Sequence, residues 1–567
     1  MSYIDWFVLL ITLISVIVYG VIKSKGTKNL NSFLLADKQL PWYHVGLSVM
    51  ATQASAITFL SAPGQGYSDG LRFVQFYFGL PLAMIVLCVT FIPIFHRLNV
   101  YTAYEFLEKR FDIKTRTLTA FLFLIQRGVS TGITIYAPAL VLSTVLTIDI
   151  SYTTIFIGLA VVCYTVYGGT KAVSYTQLFQ MLIIFMGLFM AAYMVVYLLP
   201  NNITLSEALK VAAKMDKTKA IDTTFDWNNK YNIWSGIIGG FFLQLSYFGT
   251  DQSQVGRYLT GSSVTQSRLG LIMNAFIKIP MQFFILLIGV LVFAFYQFYQ
   301  PPVFFNKVAL TTVENSARAP EIKALQNEYT LAHVKKREQA TALLSAIRNN
   351  DKKNEVLLSD ALRASNKSMD EIRNKAVILV KETSGEKNSN DSNYIFLNFV
   401  INYFPKGLIG LLIAIVFLAS MGSMASGLSS LSSTTVVDVY KRLINKNASE
   451  DHCFNASRWT TLGWGLFCIV VALYAGKLGN LIEVVNILGS LFYGTILGVF
   501  VVAFYFKKIG GTAVFYAALV TEVIVIGFWY KNIAAFLWLN VVGCLLVVVI
   551  SIVLQKVLPK QNKVAIL

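Results

Sequence analysis

VGLSVMATQASAITFLSAPGQGYSDG, residues 45–70, is too polar for an ordinary buried helix. Ser48, Thr52, Gln53, Ser55, Thr58 and Ser61 interrupt it, and Pro63, Gly64 and Gly66 loosen its end. It nevertheless sits in a chain that is mostly lipid-soluble. In a bilayer, non-helical backbone is tolerated only where protein buries it or where it lines a cavity. The stretch is therefore a candidate broken helix that offers carbonyls to an ion. The alternative is a tightly packed helix, whose small residues allow close approach and whose hydroxyls bond along their own backbone.

The surrounding composition supports a membrane setting. The chain has 567 residues, 56% hydrophobic and 13% charged, with a mean hydropathy of +0.61. Soluble domains carry about 25% charged residues. The net charge of +18 could suggest a polyanion, but the basic residues fall in short loops between apolar runs, so topology explains it and nucleic acid is not expected as a partner. Thirteen spans are expected, near 4–22, 41–65, 72–97, 115–147, 152–168, 174–199, 232–258, 267–299, 396–438, 457–475, 480–506, 511–530 and 533–556. Residues 396–438 are read as a short amphipathic approach and a helix from about Gly407. The first run lacks leading positive charge and a cleavage pattern, so it is read as a retained span and not a signal peptide. Basic residues then collect in alternate loops, among them Lys23, Lys25, Lys28, Lys171, Lys560 and Lys563, while the short loops on the other side hold only Lys477 and Lys531. That asymmetry predicts an N-terminus outside and a C-terminus in the cytoplasm.

The expected organisation is membrane helices over 1–299, a soluble insertion over 300–395, and membrane helices over 396–567. The insertion is read as an extracytoplasmic helical hairpin that turns at NNDKKN (349–354). Leu331, Val334, Ala342 and Ala346 are expected on one buried face, and Val356, Leu357, Leu362, Ile372, Val377 and Leu379 on the other. The five cysteines (Cys88, Cys163, Cys453, Cys468, Cys544) give neither a disulfide nor a metal pattern. Four lie in apolar runs and Cys453 in an inner loop. The four histidines are read as ordinary and mostly in loops.

Ionisable residues inside a membrane are functional candidates. Arg127, Asp251, Lys278, Glu483 and Glu522 stand out. Glu483 is near an outer end and Glu522 in the late pair of spans. Asp251 and Lys278 are deeper and could pair with each other or with a solute. ASMGSMASGLSSLSSTT (419–435) supplies an unusual density of hydroxyls, which suit a hard cation. YFGTDQSQVGRYLTG (247–261) interrupts another apolar span. Two broken helices about five spans apart are what an inverted repeat of five helices would give.

With these motifs in order, the chain resembles the sodium:solute symporter family. SVMATQASAITFLSAPGQGYSDG (48–70), YGGTKAVSYTQLFQ (167–180), GTDQSQVGRYLTG (249–261) and the serine-rich helix running into VVDVYKR (436–442) carry the resemblance. RLNVYTAYEFLEKRF (97–111) and GITIYAPALVLSTV (132–145) look most like its iodide, multivitamin and monocarboxylate branch. The resemblance implies an all-α polytopic LeuT-type fold of two inverted five-helix repeats. It makes 41–65 core helix 1, 232–258 core helix 6, and the serine-rich span core helix 8. It implies a sodium site at Ala51, Ala54, Ala419, Gly422 and Ser423, with a departure at Gly422, where many members carry a hydroxyl; a carbonyl, water or Ser426 would stand in. Gln177 stands where many members have Asp, so one coupling sodium is expected. For solute, the matching positions are Thr58, Tyr77, Asp251, Gln252 and Lys278. The implied activity is sodium-driven import of a small organic solute (sugar or polyol, carboxylate or amino acid) across the cytoplasmic, or inner, membrane, with no cofactor beyond Na⁺. The rivals are a proton-coupled carrier using Asp251, a transporter-like sensor, and, least supported, an enzyme, since no nucleophile–base pair, nucleotide loop or metal cluster is present.

Overall fold

The computed structural model describes residues 1–24, 35–200, 202–384 and 391–558, with the side chains of 21, 23–24, 167–172 and 384 set aside. The basic stretch with Lys25 and Lys28, the tail with Lys560 and Lys563, and the side chains of Lys23 and Lys171 thus lie outside the described residues. Among the described residues the regular structure is helical, apart from one isolated bridge between Leu40 and Gly261.

Helix α1 (Tyr3–Ser24) leads into α2 (Trp42–Gln53) and α3 (Ala56–Asp69). The chain turns at Gly70, whose φ of +73° glycine alone adopts without strain, and returns through short helical segments to Leu98. Next come α4 (Ile113–Leu146) and α5 (Ile150–Tyr197). After a polar segment holding the short helix Leu205–Lys214, α6 (Gly240–Thr250) and α7 (Gln252–Tyr258) form a second broken pair, followed by α8 (Val264–Phe298). The insertion contributes α9 (Ala319–Arg348) and α10 (Lys352–Ser384). The chain re-enters through α11 (Ser392–Tyr403) and α12 (Leu408–Thr434), whose N-cap is Gly407. It ends with α13 (Glu450–Ala475), α14 (Leu481–Tyr505), α15 (Gly511–Tyr530) and α16 (Phe536–Val557).

Ten helices among the described residues are long and apolar enough to cross a bilayer, with Ala56–Leu98 counted as one and Ile150–Val166 as a shorter apolar helix. Dividing the first at Gly70, and adding Ile150–Val166 and the α6–α7 pair, brings the thirteen spans into view. The loop expected at 169–173 is instead assigned as helix, within the 48 residues of α5. That helix is not straight. The Tyr164 and Thr176 hydroxyls lie 3.2 Å apart, whereas twelve residues of straight helix would separate them by about 18 Å. The chain doubles back between them, so α5 contains two limbs.

Close helix approach, the main source of association within lipid, is built on small residues. A Cβ on Gly64 would lie 2.1 Å from the Ser392 carbonyl, and one on Gly66 would lie 2.4 Å from that of Leu286. The outer half of the first broken helix is thereby wedged against α11 and α8. Ser61 donates to Asn393 Oδ1 at 2.7 Å, which fixes the rotation of α3 on α11. At the start of the chain, Asp5 accepts the backbone N–H of Gly407 at 2.6 Å and so ties α1 to the N-terminus of α12.

Several sequence expectations are corrected. In the hairpin, Leu331, Val334, Val356 and Leu357 are exposed, and Ala342 lies outside the buried face. The buried stripe of α9 runs through Ile322, Tyr329, His333, Lys336, Ala340, Leu343 and Ile347, with Ala346 beside it. A count of apolar residues misplaces this face because a histidine and a lysine lie on it. Their long side chains pack through their apolar parts. Leu362, Ile372 and Leu379 are buried as expected, and Val377 packs against the cluster that holds Ile372 and Leu379. The four histidines lie in helices, not loops, and Cys453 is buried inside α13. Glu483 pairs with Lys230. Glu522 is buried, with neither carboxylate oxygen hydrogen-bonded.

Candidate functional site

The first break falls between Gln53 and Ala56. Ala54 has φ −83°, ψ 81° and Ser55 φ −86°, ψ 175°. Redirected hydrogen bonds explain what the break does. The Ser55 N–H donates to the Gln53 carbonyl at 3.1 Å, and the Thr58 N–H donates to the Ser55 carbonyl at 2.9 Å. A continuous helix would have sent these to the carbonyls of Ala51 and Ala54, four residues back. The two carbonyls expected to face sodium are therefore the ones the break releases from helical bonding.

Helix α12 stands across from this break. Thr52 Oγ1 and Ser426 Oγ are 3.1 Å apart, and Ser426 donates to the Gly422 carbonyl at 2.8 Å. Ala419, Gly422 and Ser423 are buried on α12. Gln177 stitches α2, α5 and α12 together. Its Oε1 accepts from Ser48 at 2.5 Å. Its Nε2 lies 3.2 Å from Thr52 Oγ1, 3.1 Å from Ser426 Oγ and 3.3 Å from the Gly422 carbonyl. An amide N–H₂ thus occupies the oxygen-rich corner that a cation could otherwise take.

The second break is at Asp251 (φ −76°, ψ 115°), inside the polar TDQSQ run. Asp251 caps α7 by accepting from the Ser253 N–H at 2.8 Å and the Ser253 hydroxyl at 2.6 Å. It also accepts from the Tyr493 hydroxyl at 2.9 Å and faces Arg127 Nη1 at 3.6 Å. Its ion partner is Arg127, not Lys278. The carboxylate is held on every side by donors. Gln252 is likewise engaged: it accepts from the Ala103 N–H at 3.0 Å and donates to the Tyr101 carbonyl at 2.9 Å. Lys278 is buried and lies 5.8 Å from the centre of the Tyr77 ring, with no carboxylate within ion-pair distance among the described residues.

Between the breaks is a cavity of about 110 Å³. Thr58, Tyr77, Arg127, Gln244 and Ser423 are among its walls. The structure thus brings Thr58 and Tyr77 to one space with Ser423 of the proposed ion site. Asp251 and Lys278 stand behind that wall, Asp251 against Arg127 and Tyr493 and Lys278 near the Tyr77 ring, whereas Gln252 faces a separate small pocket beside Ser426 and Ser429. Five buried polar atoms of lining residues have no hydrogen-bond partner: Gln53 Oε1, Arg127 Nε, Thr131 Oγ1, and both amide atoms of Gln244. Buried polar groups are almost always satisfied, so a cluster of orphans around one cavity marks a place for a ligand. Sequence reasoning singled out Arg127 without giving it a role and passed over Gln244. The available signal was an amide inside the apolar run GFFLQLSYFG.

A helical bundle with two helices broken around a buried polar cavity is the architecture of a secondary transporter. The chain belongs to the sodium:solute symporter family, whose sequence model matches residues 33–326 and 374–521. It is 31% identical to the human sodium/iodide cotransporter over 249 residues, 44% of this chain and 38% of that one. It is 31% identical to the sodium/glucose cotransporter of Vibrio parahaemolyticus over 331 residues, 56% of this chain and 60% of that one. It is 32% identical to sodium-coupled monocarboxylate transporter 1 of Xenopus laevis over 271 residues, 47% and 43% of the two chains. The match spans 38–60% of the length of these relatives. A solved structure of a Na⁺-coupled sialic acid symporter in a substrate-bound outward-open state aligns over 99% of this chain and 100% of that one, with a TM-score of 0.76 and 22% identity. That likeness carries the fold, which is the LeuT type.

Proposed function

We propose that this protein is a sodium-coupled symporter importing a small carboxylate that also carries a hydrogen-bond donor such as a hydroxyl or amino group. The orphaned polar atoms of the cavity are the observation that carries the reading. Arg127 Nε, Thr131 Oγ1 and Gln244 Nε2 can donate, and Gln53 Oε1 and Gln244 Oε1 can accept. A carboxylate satisfies the donors, with Arg127 as its anchor. Electrostatics point the same way. Arg127 lines the cavity, and the carboxylate it faces, Asp251, is already bonded to Tyr493 and Ser253; a guanidinium only partly matched by its partner favours an anion in the adjoining space. The small cavity volume fits a solute of few atoms. Relatives named for iodide and monocarboxylates support an anion. The relative named for glucose keeps a sugar as the competing solute.

Sodium would lie between the released carbonyls of Ala51 and Ala54 and the α12 residues Ala419, Gly422 and Ser423. Its charge there would add to the attraction for an anionic solute in the adjoining cavity, so each ligand would raise affinity for the other. Thr58 and Tyr77 would contact solute directly. Asp251 and Lys278 would act from behind the wall, Asp251 by orienting Arg127 and Lys278 through its charge; Gln252 would brace the second break. Asp251 is poorly placed for a proton cycle, because its oxygens are taken by Arg127, Tyr493 and Ser253. Transport of solute outside to inside would follow the inward sodium gradient, with the N-terminus and the insertion expected on the outer side.

The test is uptake into proteoliposomes with sodium or choline outside, at several pH values, across small carboxylates, amino acids and sugars. Sodium-dependent, pH-insensitive uptake of a carboxylate is expected. Uptake that persists in choline and follows a proton gradient would sink the sodium reading. Sodium-dependent uptake of sugars alone would sink the carboxylate.

A further inference from the structure

Gly422 gives α12 no side chain at this point of the proposed ion site, and the structure places an oxygen there from another helix. Gln180 lies on α5, one turn beyond Gln177, and is 2% exposed. A Cβ on Gly422 would lie 2.5 Å from Gln180 Oε1 and 3.5 Å from Gln177 Cγ. The amide oxygen of Gln180 therefore occupies the volume into which a serine side chain at 422 would project. That oxygen has no hydrogen-bond partner. Its neighbours are already committed. Ser426 Oγ bonds the Gly422 carbonyl, and the Gln177 amide is bound to Ser48, Thr52 and Ser426. A buried acceptor left unmade costs about 1–3 kcal/mol, so an orphan between α5 and α12, one turn from Gln177, is open to a donor or a cation.

We propose that Gln180 Oε1 is a sodium ligand, supplied from α5 in place of the hydroxyl that Gly422 lacks; this rests on the sodium-coupled reading above. An uncharged amide oxygen is a suitable donor for a hard monovalent cation. The two features are one arrangement: the missing side chain at 422 makes the room, and the glutamine fills it with oxygen. Ser426, the neighbouring hydroxyl, is thereby relieved of the role. The coupling ion would be held by three helices, which ties its binding to the position of α5.

The arrangement makes an exchange test possible. Sodium binding to the purified full chain in detergent is read as the thermal-stability shift with NaCl against choline chloride, and by calorimetric titration, neither of which needs transport. Gln180→Leu should weaken sodium binding about tenfold, the equivalent of about 1.4 kcal/mol. Gln180→Glu keeps an oxygen and should bind sodium at least as tightly as wild type. Gly422→Ser alone should also weaken binding, because its side chain collides with the amide. The double variant Gln180→Ala/Gly422→Ser should recover most of the loss, by moving the oxygen back to α12. Wild-type sodium affinity in Gln180→Leu overturns the proposal, as does a double variant no better than Gly422→Ser alone. A wild-type protein that responds identically to sodium and choline overturns the sodium reading itself, which separates the two failures.

Discussion

Replacing Arg127 by glutamine removes the anchor of the proposed solute and strands its partner. Breaking a buried ion pair by deleting one member costs about 3–5 kcal/mol of stability. Asp251 keeps the Tyr493 hydroxyl and two donors from Ser253, so the loss should fall near the lower end, about 3 kcal/mol. The same change removes a charge-assisted contact to a carboxylate, about 1.5–3 kcal/mol, or about 10- to 150-fold in affinity. The two effects separate in Arg127→Gln/Asp251→Asn. With both charges gone, nothing buried is left uncompensated, and most of the stability should return. Solute affinity should not return, because the anchor is still missing. Denaturant unfolding in detergent measures the first quantity, and KM for carboxylate uptake under saturating sodium measures the second. A double variant that transports carboxylate with the wild-type KM would refute the assignment of Arg127. One as unstable as the single variant would refute the account of Asp251 as its charge partner.

Ser423→Ala should raise the sodium concentration needed for half-maximal uptake while leaving expression and thermal stability close to wild type; unchanged sodium activation would remove Ser423 from the site. Gln177→Asp should convert the amide corner into a second cation site, and the Hill coefficient of sodium activation should rise from near one toward two. Gly64→Val should fail to pack, since the Ser392 carbonyl stands 2.1 Å from its Cβ position; loss of thermal stability is the readout, and a wild-type melting curve would contradict the wedge of α3 on α11. In the hairpin, burial and the nearby Lys336 push His333 down to about 4 from its ordinary 6.5. The unfolded chain therefore takes a proton between pH 6.5 and 4 that the folded hairpin refuses, so stability is full above pH 6.5 and falls as pH drops toward 4. Limited proteolysis of the hairpin at pH 7 and 4.5 should show this loss, and His333→Phe should blunt it.

Both breaks were legible in the sequence because hydroxyls, glycines and amides cannot be scattered through a lipid-facing helix without a purpose. The start of α12 was expected near Gly407, and the structure puts its N-cap there at φ +89°. What remained hidden depends on geometry that spacing does not carry. Asp251 was expected to pair with Lys278 or with a solute, and packing gives it Arg127 instead. Gln252 resembles a ligand in sequence but spends both ends of its amide on the backbone of residues 101 and 103. Gln244 and Gln180 are single amides in apolar surroundings, and their unused bonding capacity becomes visible only when neighbours are known. The hairpin shows the opposite failure, where apolar residues at helical spacing turned outward and His333 and Lys336 went in.

The amide at position 177 also bears on the electrical side of the cycle. Each elementary charge crossing a membrane gains or loses about 2.3 kcal/mol per 100 mV. A carrier that binds a second sodium through a carboxylate draws on that voltage with every turnover. With Gln177 holding its corner shut, one sodium would accompany one hydroxycarboxylate monoanion and no net charge would move. Such a carrier works on the sodium concentration ratio alone. Its uptake would continue in a cell whose membrane potential has collapsed, provided sodium outside still exceeds sodium within.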